Sequence, residues 1–209
     1  MATVIALISQ KGGVGKSTIA RALAREGAAN GLSVKLADLD TQQGTAVDWH
    51  RTRLDAGINP AFSVEAFASA TQALAVADGL DLLVIDGPAR TSKATLEIAR
   101  SADLVVQPTG ASADDLRPAV REFHALAKAG IPIERLVFAL NRVGSDAEER
   151  DARDYIGQAG YAALDGCLRE RPAYRQAQNA GHAVTETRYK ALNTQADTLI
   201  QSLVDRING

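Results

Sequence analysis

The sequence predicts one α/β domain over residues 1–209, with a mostly parallel, twisted sheet and helices on both of its faces. The first observation is that short apolar runs alternate with helical patterns along the whole chain, which is typical of βαβ units. The second is the composition, in which 46% of the residues are hydrophobic but only 4% are aromatic. The third is that no repeat, low-complexity tract or linker divides the chain, so we expect no second domain.

Composition also narrows the functional classes. The longest apolar runs fall well short of the roughly 20 residues of a membrane span, and the N-terminus lacks a signal-peptide layout. The single cysteine, Cys167, permits no intrachain disulfide, which favours a reducing cytoplasm, and it excludes a cysteine-ligated cluster within one chain. The net charge is −2, so any binding to nucleic acid would need a local basic patch.

The first predicted βα unit surrounds a glycine-rich loop. An apolar strand over residues 4–8 precedes the loop QKGGVGKST at 10–18, and an alanine-rich helix over 19–30 follows it. Strand, glycine loop and helix in this order are the context that indicates a P-loop. The alternative is a glycine-rich turn without a ligand, but a Lys-Ser pair after the last glycine has no purpose in such a turn.

The loop carries the predicted nucleotide contacts. Its glycines allow a tight turn in which successive backbone N–H groups point inward and attract phosphate. Lys16 is expected to reach the β- and γ-phosphates of a nucleotide, and the Ser17 hydroxyl to bind Mg²⁺. The predicted binding residues of this segment are Gly12, Gly13, Val14, Gly15, Lys16, Ser17 and Thr18.

Acidic residues follow two further predicted strands. A strand over 33–37 leads into Asp38 and Asp40, and a strand over 81–86 ends in Asp86. Ligands of α/β sheets bind at the carboxyl ends of the strands, where these acids would lie. Asp86 therefore fits the Walker B position, acting on Mg²⁺ directly or through water. Capping of the next helix is an alternative role for Asp38 and Asp40, and both roles are compatible.

The other predicted elements continue the alternation. We expect strands over 62–67, 103–108, 136–140 and 161–168, and helices around 49–53 and over 69–77, 113–128, 146–154 and 192–207. Pro118 is expected in the first turn of the 113–128 helix, or as a kink in it. The terminal helix has a neutral to acidic outer face, which makes it a poor membrane anchor.

The loop sequence KGGVGKS resembles the deviant Walker A motif of the ParA/MinD family of ATPases. In that family an early lysine, Lys11 in this chain, reaches across a nucleotide-sandwich dimer to the partner subunit's phosphates. The segment at 38–43 resembles the family's Asp-x-Asp-Pro-Gln motif, with Thr41 in place of the proline. By this resemblance Asp40 orients the attacking water, and Asp38 supports the magnesium shell.

The resemblance also covers the C-terminal half. Asn141 matches the family's adenine-edge position, although a turn-forming asparagine explains it nearly as well. An arginine-then-Tyr segment in relatives lies near the nucleotide and the dimer edge, which implies nucleotide contact for Arg171. DNA-binding basic residues of relatives also occur in this segment, which makes Arg169, Arg175, Arg188 and Lys190 the candidates in this chain. The alternative is that these four are ordinary surface cations.

The resemblance implies a small ParA-type partition or positioning ATPase that requires ATP and Mg²⁺. Such a protein has a weak intrinsic ATPase rate, forms a homodimer with ATP, binds DNA without sequence preference, and is released when a ParB-like, centromere-binding partner stimulates hydrolysis. We expect it in the cytoplasm, associated with the nucleoid and not with the membrane. The alternatives are a MinD-like membrane-cycling ATPase and a metabolic P-loop enzyme similar to dethiobiotin synthetase.

Overall fold

In the computed structural model, which describes residues 2–41, 44–89 and 92–208, eight strands form a parallel sheet. The strands are β1 (Thr3–Leu7), β2 (Val34–Asp38), β3 (Ser63–Ala66), β4 (Leu82–Asp86), β5 (Leu104–Thr109), β6 (Leu136–Val143), β7 (Ala162–Ala163) and β8 (Leu168–Arg169). Their spatial order is β3-β2-β4-β1-β5-β6-β7, and β8 also pairs with β6. The strand that leads into the glycine loop, β1, is therefore central.

The helices connect these strands. They are α1 (Lys16–Ala29), α2 (Thr45–Asp55), α3 (Ala70–Leu74), α4 (Ser92–Ser101), α5 (Ala113–Lys128), α6 (Asp146–Gln158), α7 (Pro172–Asn179) and α8 (Lys190–Asn208). Two 3-10 turns, Ile133–Arg135 and Val184–Glu186, precede β6 and α8. None of the helices among the described residues is long and apolar enough to cross a membrane.

Both faces of the sheet are buried, as a parallel sheet requires. Along β1, Val4 and Ala6 pack into one hydrophobic core and Ile5 and Leu7 into the other. The first core also receives apolar residues of α3, α4, α5 and α6, and the second receives those of α1, α2 and α8. Helices cover both faces, as predicted.

The predicted helix over 113–128 coincides with α5, but two local predictions are wrong. Residues 161–168 do not form one strand. They contain the two-residue strand β7 and the first residue of the two-residue strand β8, with a loop between them. Strands this short leave no periodic pattern to detect. Pro118 lies in the second turn of α5 and not in the first, and the alternative of a kink at Pro118 stays a prediction. Residues 42 and 43, which complete the predicted acidic motif, lie outside the described residues.

Candidate nucleotide site

The glycine loop runs from the end of β1 into the first turn of α1. Gly15 directly precedes α1 and has a φ of 106°, a left-handed conformation that favours glycine. A Cβ at this position would clash with Nδ2 of Asn141. Glycine is therefore required here both for its backbone conformation and for close packing against β6.

Asn141 fixes the same loop from the other side. It lies within β6 and is 6% exposed, so its interpretation as a turn-forming residue is wrong. Its Nδ2 donates a hydrogen bond to the carbonyl oxygen of Val14 at 2.7 Å, and its Oδ1 accepts from the backbone N–H of Arg142. The side chain thus connects the loop to the carboxyl end of β6. Its contact with adenine stays a prediction.

Lys16 is the first residue of α1 and is only 9% exposed. Burial lowers the pKa of its ammonium group, while the charges of Asp86, Asp40 and Glu122 oppose that shift. Asp86 and Asp40 line the main cavity together with Lys16, whereas Glu122 lies behind the loop on α5. A cation surrounded in this way is suited to a phosphate group.

Glu122 was not predicted as part of the site. This buried carboxylate accepts hydrogen bonds from the backbone N–H of Gln10 at 3.2 Å and from Nε2 of Gln107 at 2.6 Å. Burial raises the pKa of Glu122, and the hydrogen bonds from Gln10 and Gln107 together with the charge of Lys16 partly offset this shift. An acid within the buried face of α5, between Ala119 and Leu126, was the available sequence signal.

The two predicted metal carboxylates are neighbours in the sheet. Asp38 ends β2 and Asp86 ends β4, and the two residues are direct partners in the parallel register. Oδ1 of Asp38 accepts the N–H of Asp40 at 3.0 Å, and its Oδ2 accepts that of Ala46 at 2.9 Å. Asp38 therefore holds the start of α2 through the N–H of Ala46, although the N-cap residue of this helix is Gly44 and not one of the two predicted acids. Its role in a magnesium shell stays a prediction.

Asp86 differs from Asp38 in what surrounds its oxygens. It is 1% exposed, and neither carboxylate oxygen has a hydrogen-bond partner among the described residues. Burial raises its pKa to about 7, and the nearby Ser17 hydroxyl acts in the opposite direction. A buried carboxylate without donors is costly unless it meets a cation.

These residues fit a magnesium ion bound together with phosphate. Asp86 and Ser17 both line the cavity, and Oγ of Ser17 lies 3.2 Å from Oγ1 of Thr45. Among the described residues no three His, Cys, Asp or Glu side chains are placed to hold a metal. Mg²⁺ in nucleotide sites uses one or two protein oxygens plus phosphate and water, so a complete protein cage is not needed.

The cavity at this edge of the sheet has a volume of about 310 Å³. It brings together most of the predicted site: Gly12, Gly13, Gly15, Lys16, Ser17, Thr18, Asp40, Asp86, Asn141, Arg169, Arg171 and Arg175. Lys11 and Val14 line an adjoining cavity instead. The lining that was not predicted includes Arg21, Thr45, Arg142, Leu168, Tyr174, Gln178 and Val184.

Arg21 is the unpredicted residue that the sequence could have indicated. It lies four residues after Ser17 on α1, and this spacing places both on one helix face. Its guanidinium donates to the Thr45 carbonyl at 2.5 Å and to the Gln178 side chain at 3.3 Å. Arg21 therefore connects α1 to the start of α2 and to α7 beside the cavity.

Lys11 lies at the exposed side of the loop. Its ammonium group is 2.5 Å from Oδ1 of Asp115 and 3.4 Å from the carbonyl oxygen of Asp114 on α5. That carbonyl is available because Pro118, four residues later, has no N–H to donate to it. The Lys11 side chain is 48% exposed, so the ion pair is open to solvent.

The predicted basic patch does not form one surface. Arg169 is 13% exposed and pairs with Asp146 at 2.5 Å and Glu149 at 2.9 Å. This neutralisation makes Arg169 unsuitable as a free DNA contact. Arg169 and Arg175 line the nucleotide cavity, whereas Arg188 lines a different one. Arg188 stacks on Tyr189, with its guanidinium carbon 4.8 Å from the ring centroid.

Comparison with known proteins agrees with this geometry. Residues 5–184 match the CobQ/CobB/MinD/ParA nucleotide binding domain. The maintenance of carboxysome distribution protein A of Gloeobacter kilaueensis is 29% identical over 196 residues, which cover 93% of this chain and 89% of that protein.

Several solved structures share the fold. The septum site-determining protein MinD of Pyrococcus horikoshii, in complex with Mg-ADP, has a TM-score of 0.77 at 19% identity and covers 100% of this chain and 98% of its own. A Borrelia burgdorferi protein described as a putative plasmid partition protein, bound to AMPPNP, has a TM-score of 0.73 at 14% identity, and the match covers 99% of this chain and 100% of that one. Because the family match extends over most of its length, the chain belongs to the CobQ/CobB/MinD/ParA family of nucleotide binding domains.

Proposed function

We propose that this chain is a ParA-type positioning ATPase that binds Mg-ATP, dimerises around two nucleotides, adheres to DNA and is released by stimulated hydrolysis. The observation that carries the proposal is the placement of two lysines on one glycine loop. Lys16 is buried in the nucleotide cavity, and Lys11 is half exposed beside it. The first suits a nucleotide bound within the subunit, and the second can also reach a group outside it.

In this proposal the loop amides and Lys16 bind the phosphates of ATP. Ser17 and Asp86 would hold the magnesium ion, which when bound neutralises charge on the phosphates. The Mg-ADP and AMPPNP of the two structural relatives support this choice of ligand. Asp40, half-buried in the same cavity, would orient the water that attacks the γ-phosphate.

Dimerisation would use Lys11. In the nucleotide-sandwich arrangement the Lys11 ammonium leaves Asp115 and contacts phosphate bound by the partner subunit. A charge-assisted contact of this kind contributes roughly 1.5–3 kcal/mol, and the two-fold symmetry of a dimer provides it twice. The γ-phosphate thereby favours the dimer, and its hydrolysis removes that preference.

DNA binding would follow dimerisation. With a net charge of −2, one subunit is a weak ligand for DNA, but a dimer presents each exposed cation twice. Arg188 and Lys190 are the strongest candidates because both are exposed outside the nucleotide cavity. Nucleoid association and a DNA-binding partner protein are parts of the same proposal. The names of the relatives suggest a plasmid or a carboxysome as the cargo.

A titration with a fluorescent ATP analogue tests nucleotide binding. Wild type is expected to bind, and Lys16→Ala to lose binding, because it lacks the main cation in the cavity. Lys11→Ala is expected to retain monomer affinity but to lose ATP-dependent dimerisation in analytical ultracentrifugation. Normal dimerisation of Lys11→Ala would favour an ordinary P-loop enzyme.

DNA binding is tested with the double variant Arg188→Ala/Lys190→Ala. We expect ATP-dependent binding of wild type to random duplex DNA, falling steeply with salt, and a smaller salt slope for the variant. The matched control is Arg51→Ala/Arg150→Ala, which removes two exposed cations elsewhere. Binding to anionic vesicles but not to DNA would instead favour the MinD-like alternative.

A further inference from the structure

Arg142 has an unusual backbone conformation at the edge of the cavity. Its φ is 57°, and it is the one residue other than glycine with positive φ in the described part of the chain. A side chain disfavours this conformation because its Cβ crowds the neighbouring carbonyl oxygen. Strained residues of this kind persist where the surrounding structure fixes them, and they concentrate at functional sites.

The surrounding structure at Arg142 is the junction of β6 with the glycine loop. The pairing of β6 with β8 shifts register between Asn141 and Val143. Asn141 turns inward to the Val14 carbonyl and accepts the N–H of Arg142 on its own Oδ1. Asn141 and Val143 are both buried, so the irregularity leaves Arg142 as the exposed residue between them.

The Arg142 side chain lies where two cavities meet. The nucleotide cavity and the adjoining cavity that contains Lys11 share three lining residues, which are Gly12, Gly13 and Arg142. Arg142 therefore faces the part of the loop whose amides are aimed at phosphate. Its charge also contributes to lowering the pKa of Asp115, the partner of Lys11.

Arg142 is held only loosely at the edge of this cavity. Its Nε is 4.0 Å from Oε2 of Glu170, the longest ion pair between an arginine and a carboxylate among the described residues, and its side chain is 57% exposed. Arg169 is neutralised by two carboxylates, and Arg175 lies 3.3 Å from Glu170. A guanidinium with a weak partner can turn toward a new anion with little loss.

We propose that Arg142 is a phosphate-binding residue of the nucleotide site, presented by its left-handed backbone across from Gly12 and Gly13. Guanidinium suits this role because its planar N–H groups contact two phosphate oxygens at once. The proposal rests on the proposed function, since it needs a nucleotide in this cavity. It adds a cation from β6 to the two lysines of the loop.

Two substitutions separate the side chain from the backbone. Arg142→Ala removes the guanidinium and keeps the strain, whereas Arg142→Gly removes both. Binding of fluorescent ATP and ADP analogues is measured by titration, and stability by thermal unfolding. We expect both variants to bind nucleotide roughly 10-fold to 100-fold more weakly. Arg142→Gly should unfold at a higher temperature than Arg142→Ala, and Arg142→Lys should restore part of the affinity.

Arg51→Ala is the matched control because it removes one exposed guanidinium on α2, at a position that lines neither of the two cavities. It is expected to bind nucleotide like wild type. The proposal is overturned if Arg142→Gly keeps wild-type affinity, since the guanidinium would then be dispensable. Wild type that binds while Lys16→Ala does not shows that the nucleotide site itself is correct. Wild type without nucleotide affinity would refute the proposed function and this proposal together.

Discussion

Asp115→Asn is expected to strengthen ATP-dependent dimerisation, if Lys11 reaches the partner subunit's phosphates. In the structure Lys11 is held within its own subunit by Asp115 at 2.5 Å. Although burial raises the pKa of Asp115, hydrogen bonds from Lys11 and Ser112 outweigh it and leave that pKa below its ordinary value. The carboxylate is therefore charged near neutral pH, and Lys11 must give up this partner to contact another subunit.

The size of the effect follows from the exposure of the pair. The Lys11 and Asp115 side chains are 48% and 22% exposed, so the pair resembles a surface ion pair worth roughly 0.2–1 kcal/mol. Each dimer releases two such pairs, or about 0.4–2 kcal/mol. This corresponds to a dimer dissociation constant lower by roughly 2-fold to 30-fold in Asp115→Asn.

Sedimentation with a non-hydrolysable ATP analogue, at low and high salt, measures this constant. Asp114→Asn is the matched control, since both acids lie in the first turn of α5 and only the backbone carbonyl of Asp114 contacts Lys11. Asparagine at 115 keeps the size of the side chain beside Ser112. Equal dissociation constants for Asp115→Asn and Asp114→Asn would refute the idea that this pair opposes dimerisation.

Three further outcomes are expected. Asp40→Ala should bind ATP but hydrolyse it slowly, and should remain a dimer in light scattering; normal turnover would remove Asp40 from its role with water. Burial raises the pKa of Asp86 from 3.8 to about 7, so the folded state binds more protons between these values and loses stability as pH rises through them. Asp86→Asn should therefore raise the melting temperature in EDTA at pH 8 more than at pH 5, and an equal change at both would contradict the burial of a charge. Arg53 is 1% exposed and lies 2.6 Å from Glu186, so Arg53→Ala should lower the free energy of unfolding by about 3 kcal/mol. A free energy of unfolding in denaturant equal to that of Arg51→Ala would disprove this.

Much of the fold and part of the site could be predicted because their signals are local. Apolar runs, helical spacing and the glycine loop each lie within a few residues, so β1, the loop and α1 could be placed from the chain itself. The position of Asp38 and Asp86 followed from one rule, that parallel strands end at the same edge of a sheet. Neither inference needed knowledge of which side chains touch.

Contacts between distant parts of the chain were decided by the tertiary structure. Lys11 contacts two groups of α5, the carbonyl of Asp114 and the carboxylate of Asp115, which lie 103 and 104 residues away in the sequence. No local pattern relates Lys11 to these residues. The same holds for Arg169, whose partners on α6 remove it from the predicted DNA surface.

The left-handed backbone of Arg142 is a further example, because it depends on the junction of β6, β8 and the loop. Sequence alone predicted most of the strands and helices and the edge of the sheet at which the candidate site lies. Only the tertiary structure decided which cations are paired with carboxylates and which stay available for phosphate. The reason is that the two members of such a pair lie far apart in the sequence and meet only when the connections between strands fold them together.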